Sequence, residues 1–382
     1  MKKWIFSLAV ILVLLLAACG NSGDVNTPQP QESVPSTPSP TPVIIQPEVT
    51  PEPTPEPTPE VEVTPEPVET PEVYTGPQNP LTGLPIDPEK MNDRPVAIML
   101  NNIKSALPMQ GVAQADIIYE VLAEGGIPRI VGIYQDVDDV GIVGSVRSAR
   151  TYFVELALGH DSIFLHAGGS PDSYNKIKEW GVTSLDCVNG PYEGTLFWRD
   201  SQRLKTMSRE HTVVTSGSTI QKYFPKYSFS KEHADGYSAQ MNFVQDGTPV
   251  NGTDAVRIEV PFSNYKTGVF QYDPESGKYL VEQYGKEFVD GNTGEQIAVT
   301  NVLVLKTRCA AIPGDNAGRI TVDLVEGEGW FACGGKIIPI HWSKDGVNSP
   351  IVYSTVDGEA LTLGVGTSYV NIIPLTKEIV VK

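Results

Sequence analysis

From Arg94 to Asn102 the chain reads RPVAIMLNN, an apolar run of strand length that predicts a buried β-strand. ADIIYEVLAEGGIPRIVGIYQ, residues 115–135, reads as two β runs joined at Gly125-Gly126, a pair suited to the positive φ angles of a tight hairpin turn. The period then changes. Tyr152, Phe153, Leu156 and Ala157 recur at helical spacing, which predicts an amphipathic helix from about Ser148 to Leu158, capped by Ser145 or Ser148. The strand SIFLHA follows. A helix is then expected in SPDSYNKIKEWG, opened by Ser170, Pro171 and Asp172 in the order N-cap, N1, N2, and another near TSGSTIQKYF. Strands alternating with helices predict a sheet covered by helices.

Beyond residue 250 the helical period disappears. DAVRIEV, GVFQYD, GKYLVEQY, NVLVLKT, GRITVDLVE, KIIPIHW, PIVYST and SYVNIIP are short, rich in β-branched and aromatic residues, and separated by Gly, Asn and Asp. They predict antiparallel β structure, with CGGK as a two-residue hairpin turn. The expected class is α+β. A mixed α/β domain over 77–240 would precede a mostly antiparallel β domain over 241–382, with the boundary between residues 236 and 252.

The N-terminal region has a different logic. Two lysines, an apolar run from Trp4 to Ala18 and small residues ending at Cys19 have the form of a secretory signal. Its end, LAAC, resembles a bacterial lipobox, so residues 1–19 are expected to be a lipoprotein signal peptide with Cys19 as the lipidated residue. The protein is then expected outside the cytoplasm, held to the membrane by its lipid. Residues 20–76 are rich in Pro, Thr and Glu: sixteen of the 32 prolines lie between Pro28 and Pro77. Such a segment has little to bury and is expected to be a disordered spacer. Fully extended, it would reach on the order of 150 Å.

This segment changes the reading of charge. Of the formal net charge of −18, residues 20–75 carry −10 and the leader +2, leaving −10 on the body. That is ordinary solubility rather than an acidic interaction surface, and it excludes broad nucleic-acid binding, which needs a basic footprint. With Cys19 assigned to lipid, Cys187, Cys309 and Cys333 remain, without CxxC or zinc-like spacing. An oxidising exterior permits a Cys309–Cys333 disulfide; three buried small hydrophobes are the alternative. No metal or cofactor motif occurs, so neither is expected.

Four stretches carry candidate chemistry. In GIVGSVRSAR, Arg147 and Arg150 are expected in the first turn of the helix, where backbone N–H groups are already positive. Two guanidinium forks there would form a receptor for an anion, either an external ligand or the protein's own carboxylates. In SIFLHAGGSPDSYNKIKEWG a strand ends at His166, a Gly-Gly turn follows and Ser170 opens a helix, a place where α/β folds bind ligands. His166 is a general acid/base or a hydrogen-bonded turn residue, and Ser170 a nucleophile or, more simply, a cap. In LFWRDSQRLKTMSREHT, Arg199 and Arg203 are at i, i+4 spacing and Arg209 and His211 follow; a helix would point Arg199 and Arg203 the same way. In ADIIYEVLAEGGIPR, Asp116, Glu120 and Glu124 are spaced by four. They would share one strand face, as acid/base carboxylates or as internal partners of the arginines, with Arg129 across the hairpin.

NPLTGLPID, RPVAIMLNN, ADIIYEVLAEGGIPR, VGSVRSAR, FLHAGGSP and FWRD with the later EHT together resemble the YerB-like lipoprotein family of exported bacterial proteins, a domain of unknown function with a separate C-terminal part. The resemblance covers residues 79 to 375. It implies a lipoprotein with a mixed α/β domain followed by a β-rich one, and supplies no substrate or catalytic residue.

The expected function is that of a membrane-anchored, wall-side binding or accessory protein. Arg147 and Arg150 would grip an anion, the His166–Ser170 turn would add backbone donors, and Arg199 and Arg203 would complete the charge. A cell-wall polymer or an envelope protein is the expected partner. The competing expectation is an exported hydrolase of wall glycans or phosphodiesters, using Glu120 or Glu124 with His166 or His211. It requires a carboxylate in an open cleft with a raised pKa. A third is that all these charges form an internal ion-pair network.

Overall fold

The computed structural model describes residues 74–382. The expected signal peptide, Cys19 and all but the last three residues of the expected spacer lie outside the described residues.

The fold is α+β, built on one long mixed sheet. Strand β1 (Val96–Leu100) lies between β3 (Pro128–Tyr134), antiparallel to it, and β5 (Ile163–His166), parallel to it; β2 (Ile117–Leu122) pairs antiparallel with β3, and β6 (Ser184–Asp186) runs parallel beside β5. β2 and β3 form the expected hairpin. Its turn uses Gly125 at φ 67° and Gly126 at φ 75°, a region that side chains with a Cβ rarely adopt.

Strands from beyond residue 240 continue this sheet. Ser368–Pro374 runs parallel to β2, Asn301–Thr307 runs parallel to it in turn, and the Glu326–Cys333 and Lys336–Ser343 strands extend the sheet antiparallel. The last two flank the CGGK turn, with Gly334 and Gly335 both at positive φ. A second, antiparallel sheet includes Arg257–Pro261, Thr267–Asp273 and Lys278–Gln283, and smaller two-stranded pairings take other C-terminal strands.

The long sheet is covered on both faces, which explains its nearly continuous apolar strands. Ile118 on β2 faces a core shared with Ile258, Phe270 and Val281 of the second sheet. Ile117, Tyr119 and Val121 face the opposite core, shared with Phe153, Leu156 and Ala157 of helix α1 (Thr151–Gly159). Helix α2 (Pro171–Glu179) follows β5 and is capped as expected, the Ser173 N–H donating to Ser170 Oγ at 3.2 Å.

One expectation is corrected here. Helix α1 starts at Thr151, not Ser148, and neither Ser145 nor Ser148 caps it; Arg150 is the N-cap residue, with φ −132° and ψ 157°. The preceding residues continue extended from β4 (Ile142–Gly144) because other segments claim their backbone. Val146 N–H donates to Val213 O, Arg147 N–H to Met99 O and Ala149 N–H to Gly168 O, at 2.7 to 2.9 Å. These bonds outweigh a weak local helix preference. Of the two alternatives for the cysteines, the structure has the unpaired one: Cys187, Cys309 and Cys333 are free, Cys187 and Cys333 being buried.

Candidate functional site

Because residues 145–150 are extended, Arg147 and Arg150 leave the chain into two adjoining clefts rather than over a helix end. The first cleft, of about 390 Å³, sits at the C-terminal end of β5 and is lined by Arg147, Arg199, Glu210, Tyr174, Asn189 and the Gly168-Gly169 turn, among others. Arg147 Nη1 donates to the Glu210 carbonyl at 2.9 Å and to its carboxylate at 3.2 Å. Glu210 is largely exposed, and the charge of Arg147 holds its carboxyl below the usual range. Arg199 arrives from β7 (Trp198–Arg199), where Nε donates to Glu193 at 2.9 Å and Nη1 to the Arg209 carbonyl at 2.9 Å.

One residue that the sequence did not single out shapes this cleft. Asp186, at the end of β6, accepts from Gly168 N–H at 2.7 Å, Val188 N–H at 2.9 Å, the Tyr174 hydroxyl at 2.7 Å and Asn189 Nδ2 at 3.1 Å. Burial works to raise its carboxyl, but the donors from Gly168, Tyr174 and Val188 outweigh it and hold the group low. Asp186 therefore pins the turn, Tyr174 and Asn189 to one another. The Val188 and Asn189 donors are local, but the turn and Tyr174 come from separate elements, so the sequence around Asp186 does not show what it holds together.

The second cleft, of about 400 Å³, is lined by Glu124, Arg129, Arg150 and Arg319 with Gly169, Ser170, Pro171 and Ala317. Glu124 bonds Arg150 Nε and lies 3.1 Å from Arg129 Nη2. Arg129 also donates to the Ser148 carbonyl at 2.9 Å. Burial would raise the Glu124 carboxyl; the bond from Arg150 and the charges of Arg129 and Arg150 overcome this and lower it. Burial, then the neighbouring Arg150, pushes the Arg129 guanidinium down to about 10. The cationic charge is thus concentrated enough for one guanidinium to disfavour another.

The other candidates do not join these clefts as expected. His166 is fully buried beneath the turn; Nδ1–H donates to Gly168 O at 2.8 Å and Nε2 accepts from Ser184 Oγ at 2.7 Å, and burial lowers its pKa. Neutral and bonded on both sides, it is a turn residue. The turn's backbone is also largely engaged: the N–H groups of Ala167, Gly168 and Ser170 go to Arg147 O, Asp186 and Ala149 O. His211 is buried, its Nδ1 accepting from Asn101 Nδ2 at 3.0 Å, and burial followed by the charge of Arg147 lowers its pKa. Arg199 and Arg203 do not point the same way, because the chain passes from a strand to a short helix (Arg203–Thr206) between them. Arg203 is buried, with its guanidinium on Gln110 Oε1 at 3.0 Å, Ala106 O at 3.1 Å and Pro108 O.

The three carboxylates of β2 also separate. Glu120 stays on the strand face with Ile118, where it is 1% exposed and accepts from Lys266 Nζ, Asn102 Nδ2 at 2.6 Å and the Tyr369 hydroxyl at 2.6 Å. Asp116 precedes the strand and accepts from Asn79 Nδ2 at 2.8 Å and the Gln135 N–H. Glu124 lies beyond the strand in the hairpin turn, where alternation no longer holds, and bonds the N-cap residue of α1, which packs on the opposite face.

Comparison with known proteins places this architecture. The model of the family described as "Protein of unknown function (DUF3048)" matches twice, its N-terminal domain over residues 81–230 and its C-terminal domain over 258–370. YerB of Bacillus subtilis (strain 168), a protein named as a lipoprotein, is 33% identical over 299 residues, which is 77% of this chain and 86% of YerB. The chain belongs to the YerB-like family. The crystal structure of Bacillus subtilis YerB is similar at a TM-score of 0.70, with 29% identity, covering 80% of this chain and all of that one. The family's two parts correspond to the strands that meet where β2 pairs with Ser368–Pro374, so the first part's sheet is continued by the second.

Proposed function

We propose that this protein is an extracytoplasmic lipoprotein, anchored to the membrane through Cys19, that binds an anionic group of a cell-envelope polymer or partner in the cleft between Arg147 and Arg199. The lipoprotein part rests on the leader sequence and on the name of its Bacillus relative. The binding part rests on one observation: in a body of net charge −10, two arginines from separate elements converge on a cleft whose turn is pinned by Asp186. Guanidinium groups held against exposed carboxylates such as Glu210 can exchange those partners for a ligand anion at little cost, because exposed ion pairs are worth only about 0–1 kcal/mol. Phosphates of wall polymers and carboxylates of peptidoglycan stems fit this chemistry.

The hydrolase reading gains no comparable support. Glu120 is sealed in the core with Lys266, Glu124 is held low between two arginines, and His166 is bonded on both ring nitrogens. The test is a calorimetric titration of the full-length protein with inorganic phosphate and with soluble peptidoglycan fragments, while product release is monitored. Saturable binding that weakens with salt and falls at least tenfold in Arg147→Ala/Arg199→Ala is expected, without product. Wild-type binding by the double variant, or turnover, would overturn the reading.

A further inference from the structure

The two arginine-lined clefts share a wall. Gly169 lines both, and the Ser148 carbonyl that receives Arg129 belongs to a residue lining the first. Together they present Arg147, Arg199, Arg129, Arg150 and Arg319 against Glu210 and Glu124. The adjoining groove shares Arg150 and Arg319 with the second cleft and adds three carboxylates, Glu155, Asp172 and Asp323, so its charge turns acidic away from those arginines. The positive ground is therefore bounded, with room for an anion in each cleft and an acidic stretch beyond. In the second cleft Arg129 and Arg150 share the single carboxylate of Glu124, while Arg319 is held by Asp315 from outside the lining.

We propose that the two clefts form one continuous trough for a linear, phosphodiester-linked oligomer, engaging two consecutive phosphates, the first at Arg147 and Arg199 and the second at Arg150, Arg129 and Arg319. This inference rests on the anion-site reading above and extends it from one anion to a ligand class. Every cation lining the trough is an arginine, whose fork makes paired hydrogen bonds to phosphate oxygens. A peptide is disfavoured by the second cleft, where Gly169, Ser170, Pro171 and Ala317 are the only uncharged lining residues. Arginine clusters also take acidic peptide motifs, but these four small residues offer no apolar pocket for the side chains of such a motif, and a glutamate peptide is therefore the competing outcome of the test. The acidic groove beyond Arg319 limits the number of phosphates engaged, so affinity rises between one phosphate and two and then levels.

The experiment is a titration of the full-length protein in detergent with glycerol-phosphate oligomers of one unit, two units and longer, and with a glutamate peptide of matched charge. Tethering a second phosphate beside an occupied first site makes its binding intramolecular, so the two-unit probe is expected to bind roughly tenfold or more tightly than the single unit. Longer oligomers are expected to add less than about threefold, as further units gain no contact. Arg319→Ala is expected to lower two-unit affinity toward that of the single unit; because Arg319 pairs with Asp315 only four residues away, its thermal melt should match wild type. Arg150→Lys, which keeps the charge but not the fork, should lower it less. If the single unit binds and the two-unit probe binds no tighter, or affinity climbs steadily with length, or the glutamate peptide binds as well, the two-phosphate inference is overturned while the anion site stands. If no probe binds, both fall.

Discussion

Glu124 separates an ion-pair role from a catalytic one, and Glu124→Gln tests it. The substitution keeps the size of the side chain but removes the charge that holds Arg150 and Arg129 together. All three side chains are mostly shielded, at 17%, 14% and 12% exposure, so little water is available to replace the carboxylate. Removing one partner of a fully buried pair costs about 3–5 kcal/mol. Because this cleft is open on one side, about 2–3 kcal/mol is expected here. Urea unfolding at pH 7 measures it. The pH dependence has a definite sign. A carboxyl whose folded pKa lies below its unfolded value, about 4.3, contributes stability above that value and loses it as pH falls through the folded pKa. The gap between wild type and Glu124→Gln should therefore be constant from neutral pH to about 5 and shrink below about 4. Phosphate binding should move the opposite way and tighten several-fold, since a competing carboxylate has left the trough. A variant as stable as wild type at pH 7, with phosphate binding unchanged, would refute the argument.

The Glu120–Lys266 pair is a sharper case of burial. Either Glu120→Gln or Lys266→Met should cost about 3–5 kcal/mol in urea unfolding, whereas Glu120→Leu/Lys266→Met together should cost less than the two singles summed, because no unpaired charge remains, although Asn102 and the Tyr369 hydroxyl lose their acceptor. His160 gives a second pH effect. Burial first, then the charges of Lys344 and His233, lower its pKa to about 4, against about 6.5 when unfolded, so the unfolded state binds the proton more tightly. Stability should be full above about pH 6.5 and fall by up to ~3 kcal/mol toward pH 4, a loss that His160→Gln should remove.

Much of the fold is legible from local pattern. The β2–β3 hairpin, the CGGK turn, the Ser170 cap and the C-terminal strands follow from periodicity and from glycine or serine where the backbone needs them. These are short-range constraints, written where they act. The site is only half legible for the same reason. Sequence pairs Arg147 with Arg150 by their spacing, yet backbone bonds to the carbonyls of Met99, Val213 and Gly168 hold that segment extended and send the two side chains into different clefts. Arg199 and Arg203 part because a strand ends between them.

By itself, then, the chain determined its α+β class, the residues that form each hairpin and cap, and the family to which it belongs. Only the tertiary structure decided which carboxylate meets which arginine. Glu124 found Arg150 and Arg129, Glu120 found Lys266 from the other half of the chain, and Asp186 gathered donors from a turn, a helix and the segment that follows it. Charges attract at distances set by the fold rather than by sequence separation: Glu124 and Asp186 meet partners brought close by the folding of the first half, whereas Glu120 meets Lys266 only where the two halves pack together.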